Sequence, residues 1–366
     1  LASLKPPSKS PAAGPPTGWS GPPVEPYRMS AVGPAHQVLY RKLGADGQPV
    51  ADTDSAADWA SDRSDPLLGR RVRFPGWDLE MHTAPLRGEA TATWEVAVAP
   101  EALAAFLLRH AGGARRSIDL LCYTFEQPSL ADVLAERAGA GVAVRVLVDG
   151  APAGGISHQE RWCLHRIASA GGRVYFMDAG GEIAARYRSA HAKLAVVDGR
   201  LALVGSENPT LASAPEDDPV DGTLGRRGVW LATDAALVVG WAERIVADDL
   251  DAERHVDVRP YQPRDPDRGA PAEDFEPERG GGGTGHPAVA PEPLVIREAL
   301  QVELVTAPEN ALTPGTGLTR LLGAAGAGDQ ILVEQLREPR WWSMGAGAGP
   351  GDMNPRLLGY LEAARR

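Results

Sequence analysis

The stretch Ser189-Ala-His191-Ala-Lys193-Leu-Ala-Val-Val-Asp198-Gly-Arg-Leu-Ala-Leu-Val-Gly205-Ser206-Glu207-Asn208 reads as one β-hairpin. Lys193 to Val197 and Leu201 to Val204 are short apolar runs, and Asp198-Gly199-Arg200 between them is a turn signal. Residues two apart in a strand share a face, so His191 and Lys193 point the same way. Pairing of the second strand with the first returns Gly205-Ser206-Glu207-Asn208 to the neighbourhood of His191.

An imidazole beside an ammonium, with a hydroxyl and an amide close by, can attack phosphorus while the cation and polar groups hold its non-bridging oxygens. The residues resemble the H-x-K-x4-D motif with a following G-S-x-N that marks the phospholipase D superfamily. The resemblance implies that His191 is the nucleophile and forms a phosphohistidine, and that Lys193 and Asn208 bind the phosphate. It also implies that Ser206 supports the pocket and that Asp198 steadies the loop. It calls for no metal and no cofactor.

The other features are those of an ordinary globular chain. Of the 366 residues 43% are apolar and 23% charged, which suits two or more domains with packed cores. The formal net charge of −11 argues against coating nucleic acid by bulk electrostatics, while leaving room for a locally basic cleft. The two cysteines, Cys122 and Cys163, fall in an apolar strand-like run and on a predicted helix, so buried thiols are expected and no zinc pattern exists. No run reaches the length of a transmembrane span and no signal-peptide pattern is present. The chain opens on Leu1, as a processed or incomplete chain would.

Composition divides the chain. Residues 1–34 are Pro/Gly-rich and are expected to be poorly ordered. Residues 35–90 carry Tyr40-Arg-Lys, Asp52-Thr-Asp-Ser-Ala-Ala-Asp58-Trp59 and Pro75-Gly76-Trp77, which resemble the closing part of a lamin-tail domain, an immunoglobulin-like β-sandwich. Too few strands are visible for a whole sandwich, so this is a partial β segment. Compartment is left open by composition, and the lamin-tail-like segment tips it toward an extracytoplasmic setting.

From Trp94 strands alternate with helices: strands at 95–99, 117–123, 141–148 and 173–177, helices at 100–111, 129–138 and 157–170, then the hairpin and a helix over 234–248. This order predicts an α/β layer fold with a mixed sheet flanked by helices. It also resembles a phospholipase D-like lobe over residues 91–258. Residues 259–293 break the pattern as a linker or long loop.

Residues 294–366 repeat the start of the lobe. Ala307-Pro308-Glu309 echoes Ala99-Pro100-Glu101, Leu318 to Ala325 echoes the helix ending near Ala111, and Ile331 to Leu336 echoes Asp119 to Thr124. Pro355 to Arg366 then matches the helix ending near Ala138, so the second lobe is incomplete and no second H-x-K occurs in the chain. Family chemistry uses two such motifs, because nucleophile and general acid are separate tasks in one step. The second half-site would come from a missing C-terminal region, the reading favoured by the started repeat, or from a second subunit.

Other candidates surround the motif. Tyr123, Phe125 and Glu126 end a buried strand, where ligand-facing loops of α/β sheets begin. Asp149-Gly150 ends another, followed by His158, and Ser157 suits a helix cap. Arg186 and Arg188 could attract an anionic substrate, and Glu216-Asp217-Asp218 reads as a solvated loop. His110, His165 and His255 read as helix-surface residues. Many family members carry a carboxylate shortly after G-S-x-N, and here Gly228 falls at about that place, with Asp217, Asp218 or Asp221 as substitutes. The expected function is therefore phosphodiester cleavage or transfer on a phospholipid or nucleic acid. A noncatalytic binding or surface-attachment module is the reading of another class.

Overall fold

The apolar runs flanking the turn form the centre of a sheet, and neighbouring strands extend it on both sides. A computed structural model of the chain describes residues 85–178, 186–187, 189–217, 223–283, 285–307, 310–311, 315–333 and 355–366, and four short strands before them. Those four are β1 (Tyr27–Val32), β2 (Gln37–Lys42), β3 (Arg63–Asp65) and β4 (Arg70–Val72). β1 pairs antiparallel with β2, and β3 with β4. β1 falls within the segment 1–34. Of the lamin-tail-like residues, Tyr40 to Lys42 lie in β2, whereas 52–59 and 75–77 fall outside the described residues.

The remaining strands are β5 (Leu86–Ala99), β6 (Ser117–Cys122), β7 (Ala143–Asp149), β8 (Arg173–Met177), β9 (Leu194–Val197), β10 (Leu201–Gly205), β11 (Gly228–Thr233), β12 (Val258–Pro260) and β13 (Leu294–Leu304). Helices α1 (Leu103–Gly112), α2 (Pro128–Gly139), α3 (His158–Ser169), α4 (Ala236–Asp249), α5 (Gly317–Ala324) and α6 (Pro355–Arg365) complete the described elements. The mixed sheet has the order β12-β8-β7-β6-β9-β10-β11-β5-β13, with β6, β7 and β8 parallel and the other pairings antiparallel.

Layering follows from alternation. Ile118, Leu120 and Cys122 of β6 pack with Val144, Val146 and Val148 of β7 under Phe106, Leu130, Leu134, Leu164 and Ile167 of α1, α2 and α3. Leu121 and Leu147 point to the other face, against Val238, Val239, Ala242 and Val246 of α4. Strands covered on both faces read as near-continuous apolar runs, which is why the sequence marks them clearly. Each fully buried aliphatic side chain contributes about 1.5–3 kcal/mol, so these two interfaces hold the sheet.

Several elements differ from the sequence reading, among them the strands β12 and β13. β5 begins at Leu86 rather than Glu95, because β13 pairs with its polar first half from Leu86 onward. β11 occupies Gly228–Thr233, where no strand was read, since its glycine and the two preceding arginines interrupt the apolar pattern. Residues 331–333 of the expected second strand are not in a strand, and 334–336 fall outside the described residues.

The strand expected to open the repeat pairs with β5. The shift that carries Ala99 to Ala307 carries Thr91 to Ala299, and Thr91 lies opposite Ala299 in the β5–β13 register. Glu95 of β5 is held by Arg109 of the following helix, and Glu303 of β13 by Arg320 of the helix following it, at 2.7 Å. The stretch 261–283 lies along α2 and α3, with Arg161 donating to the carbonyls of Gly269 and Ala270 and Arg279 paired to Asp132 at 2.6 Å.

Arg186, read from sequence as a substrate-attracting cation, is instead buried. Its guanidinium bonds Asp257 at 3.1 and 3.2 Å and Asp249 at 3.2 Å, and its backbone N–H donates to Asp257 at 2.8 Å. His255 is likewise buried against Asp248 at 3.1 Å, and His110 sits against Glu95 and the edge of Phe106, so neither is a helix-surface residue. A buried cation needs its anions, and these anions end α4 and the turn after it, which fixes the segment leading into the hairpin. Replacing Arg186 with Met should lower unfolding stability by about 3–5 kcal/mol in urea titrations, because two carboxylates are left without their cation. Arg166→Met, which removes an exposed pair with Asp132, should cost about 1 kcal/mol or less.

Candidate active site

The hairpin places its ends where the parallel strands β6 and β7 finish. Leu194 pairs with Leu121, and the Gly205 N–H donates to the Lys193 carbonyl at 2.9 Å, so Lys193 lies beside Cys122 and Tyr123. His191 is exposed, whereas Lys193 is only 5% exposed. The Lys193 ammonium donates to the His191 carbonyl at 2.7 Å and lies 3.1 Å from His191 Nδ1. Tyr123 completes the group, its ring centroid 4.8 Å from that of His191 and 5.7 Å from Lys193 Nζ, within cation–π range.

Backbone contacts hold these groups in place. Asp149, at the end of β7, accepts from the backbone N–H of Ala190 at 2.7 Å and of Ala151 at 2.9 Å, tying the residue before His191 to the neighbouring loop. The Tyr123 hydroxyl accepts from the Ala153 N–H at 2.5 Å. Glu160 is fully buried and accepts from the Phe125 N–H at 2.8 Å; burial pushes its carboxyl up to about 8.

Electrostatics favour a neutral imidazole beside a proton-labile ammonium. Burial, then the Lys193 charge, lower the His191 pKa below 6.5, against an opposing pull from Asp149. Burial lowers Lys193 from 10.5 to about 8, opposed by Cys122 and Glu207. A neutral histidine can offer a lone pair, and a cationic lysine can hold a negatively charged oxygen. With the ammonium donating to Nδ1, the imidazole hydrogen belongs on Nε2; an anion that draws Lys193 away frees Nδ1.

The other sequence candidates divide by position. Asn208 is at the site: its Oδ1 accepts from the Tyr123 N–H at 3.2 Å, which turns its amide N–H₂ outward as a donor. Asp198 is not in the pocket but shapes the hairpin. Its φ of 57° and the 62° of Gly199 are the paired positive values of a type I′ turn, closed by Arg200 N–H to Val197 O at 3.0 Å. Its carboxylate accepts from the N–H groups of Arg115, Arg116 and Ser117 at 2.6 to 3.1 Å, which locks the turn to the start of β6. Ser206 is exposed, and its hydroxyl accepts from the Val229 N–H at 3.0 Å.

Other residues serve the framework. Glu126 takes the Ser157 hydroxyl at 2.5 Å, Ser157 caps α3, and His158 stacks on Phe275 with centroids 5.5 Å apart. Glu216 is not a free solvated acid, since it receives Gln127, Ser129 and Gly280. Asp217 holds the Gly283 N–H at 2.8 Å, away from His191. Arg188, Asp218 and Asp221 lie outside the described residues. Among the described residues no group of three or more His, Cys, Asp or Glu is arranged to hold a metal ion.

One signal escaped the sequence reading. Residues 43–366 contain one lysine, Lys193, every other side-chain cation there apart from histidine being arginine. Arginine stays charged at any accessible pH, whereas lysine changes pKa when buried, so the exception marks the site.

A mixed sheet between helical layers, with a histidine–lysine pair on a hairpin at its open end, defines a phospholipase D-like domain. Residues 107–218 match the family model described as cardiolipin synthase, PLD-like domain. Similar solved structures include Nuc, a phospholipase D family member from Salmonella typhimurium, at 17% identity and TM-score 0.37, covering 49% of this chain and 99% of that one. NucT from Helicobacter pylori is 18% identical with TM-score 0.34, covering 44% of this chain and 98% of its own. A phosphatidylserine synthase from Haemophilus influenzae Rd KW20 is 15% identical with TM-score 0.30, covering 46% and 38% respectively. No curated protein sequence matches significantly. No described helix is long and apolar enough to cross a membrane.

Asp198→Asn should lower stability at pH 7 by about 1–3 kcal/mol in thermal or urea unfolding, since three backbone donors lose a charged acceptor. The three N–H bonds outweigh burial and hold the native carboxyl below 3.8. Its contribution is therefore present above the unfolded pKa and lost as pH falls through the lower native value. The gap between wild type and variant should narrow below about pH 4.

Proposed function

We propose that this domain cleaves or transfers a phosphodiester through a phosphohistidine on His191, without a metal. The observation that carries the proposal is the exposed imidazole of His191 backed by the buried ammonium of Lys193. In the first step an imidazole nitrogen of His191 bonds to phosphorus as the bond to the leaving oxygen breaks. Lys193 and the Asn208 amide hold the non-bridging oxygens as charge develops there. Water or an alcohol then displaces the histidine, giving hydrolysis or transfer.

The leaving oxygen needs a proton, and His191 cannot supply it while its lone pair attacks. The domain is accordingly a half-site. A second imidazole, from a further lobe or a second copy of the chain, donates that proton and later takes one from the incoming water or alcohol. Phospholipids and nucleic acids both offer the required phosphodiester. The net charge of −11 favours substrates that approach without bulk electrostatic capture.

Hydrolysis of bis(p-nitrophenyl) phosphate by the full chain tests the proposal. His191→Asn should lower kcat/KM by at least about 1000-fold, as removal of a nucleophile does, and Lys193→Met should act similarly. EDTA should leave the rate unchanged. Turnover unaffected by His191→Asn would reject the enzymatic reading in favour of a noncatalytic binding module. The pH profile follows from the site: the rate limb set by a neutral His191 lies below 6.5, and the limb set by a charged Lys193 falls as pH rises through about 8.

A further inference from the structure

A cavity of about 340 Å³ opens between the last turns of α3, the start of β8 and the chain leaving β12. β8 runs parallel to β6 and β7, so its start lies at the end of these strands opposite to that occupied by Lys193. His165 and Ser169 line the cavity from α3, Arg173 and Tyr175 from β8, and Pro260 and Tyr261 from the third side. No carboxylate is among its lining residues. The volume is that of a small-molecule pocket.

Three of these side chains are joined in a row. The Tyr261 hydroxyl lies 2.8 Å from His165 Nδ1, and the Ser169 hydroxyl 3.3 Å from Nε2. Tyr261 is held from behind, its backbone N–H donating to the Val174 carbonyl at 2.8 Å and its ring centroid 6.4 Å from that of Phe176. Burial pushes its hydroxyl up to about 12, so it stays a phenol. A neutral imidazole carries one N–H and each hydroxyl one O–H, which gives three hydrogens for two contacts. Whichever nitrogen bears the hydrogen, one hydroxyl accepts it and keeps its own to give elsewhere.

Arg173 adds a charge. It is exposed and pairs with no carboxylate among the described residues, whereas its register neighbour Arg145 is taken up by Asp119 at 2.5 and 2.9 Å. A guanidinium and an uncommitted hydroxyl hydrogen, with no acid beside them, select an anion. The tyrosine rings and Pro260 add flat apolar walls, which suit an aromatic ring. We propose that this cavity is a second ligand site, which takes a planar aromatic ring bearing a carboxylate or a phosphate. The ring lies against Tyr261 and Pro260, and the anion meets Arg173 and the hydroxyl row. The site stands apart from the chemistry proposed for His191 and does not depend on turnover there.

Nucleotides and small aromatic acids share this chemistry, so adenosine 5′-monophosphate and benzoate form separate arms of a calorimetric titration of the full chain. At least one should bind with a dissociation constant of about 1 mM or below. The tighter arm names the source, and either source supports the site. Lys193→Met should leave the affinity unchanged, which separates this cavity from phosphate held beside His191. Arg173→Gln should weaken binding at least about tenfold, and Tyr261→Phe, which keeps the ring and removes the hydroxyl, about three- to tenfold. Ser169→Trp, at an exposed position, should fill the cavity and abolish binding. Adenosine and benzamide, which lack the charge, should bind at least about tenfold more weakly. Neither anion binding up to about 10 mM, binding lost in Lys193→Met, or binding unchanged in folded Arg173→Gln and Ser169→Trp would overturn the inference.

Discussion

Keeping an ammonium charged while withdrawing it from water is the constraint around which this domain is arranged. Bringing Lys193 from 10.5 to about 8 corresponds to roughly 3 kcal/mol against its charged form. The Tyr123 ring and the His191 carbonyl offset that cost. Both are fixed by backbone geometry: Tyr123 follows the end of β6, and the residue before His191 is held by Asp149. A lysine left in water would need none of these supports, and would hold an anion less firmly.

The fold meets the constraint by pairing parallel with antiparallel strands. β6 and β7 bring Tyr123 and Asp149 to one end of the sheet, and the hairpin of β9 and β10 returns its own ends to the same place. Asp198 fixes the far end of the hairpin, Asp149 fixes the residue before His191, and the Arg186 cluster fixes the segment leading in. Buried apolar layers supply the stability, and four acidic residues, Asp198, Asp149, Asp249 and Asp257, supply the alignment. One slip of register along β9 would turn Lys193 to the α4 face, so this alignment decides whether a site exists.

Much of this was legible in the sequence, and the reason is physical. Strands buried on both faces appear as apolar runs, which placed β6, β7, β8 and the hairpin within a residue or two. The Asp198-Gly199 turn was legible because only a few residues tolerate its positive φ values. His191, Lys193 and Asn208 were found through spacing and are brought together at one sheet end. Less legible were the first half of β5, whose pairing depends on a strand some 200 residues away, and β11, whose glycine and arginines conceal its period. Arg186 looked like a substrate-facing cation because its two acidic partners are more than 60 residues distant.

The pairing of β5 with β13 brings the start of the expected repeat against the lobe. On the proposed function this chain supplies the half that attacks. Its central chemical claim concerns a single bond, between His191 and phosphorus. The most direct measurement is rapid acid-free quenching of the full chain with a ³²P-labelled phosphodiester, followed by peptide mass spectrometry under alkaline conditions. The account predicts an acid-labile, base-stable phosphoryl adduct on His191 that disappears in His191→Asn. Turnover of that substrate with no phosphoryl adduct on His191 at any quench time, or with an adduct on another residue, would contradict it.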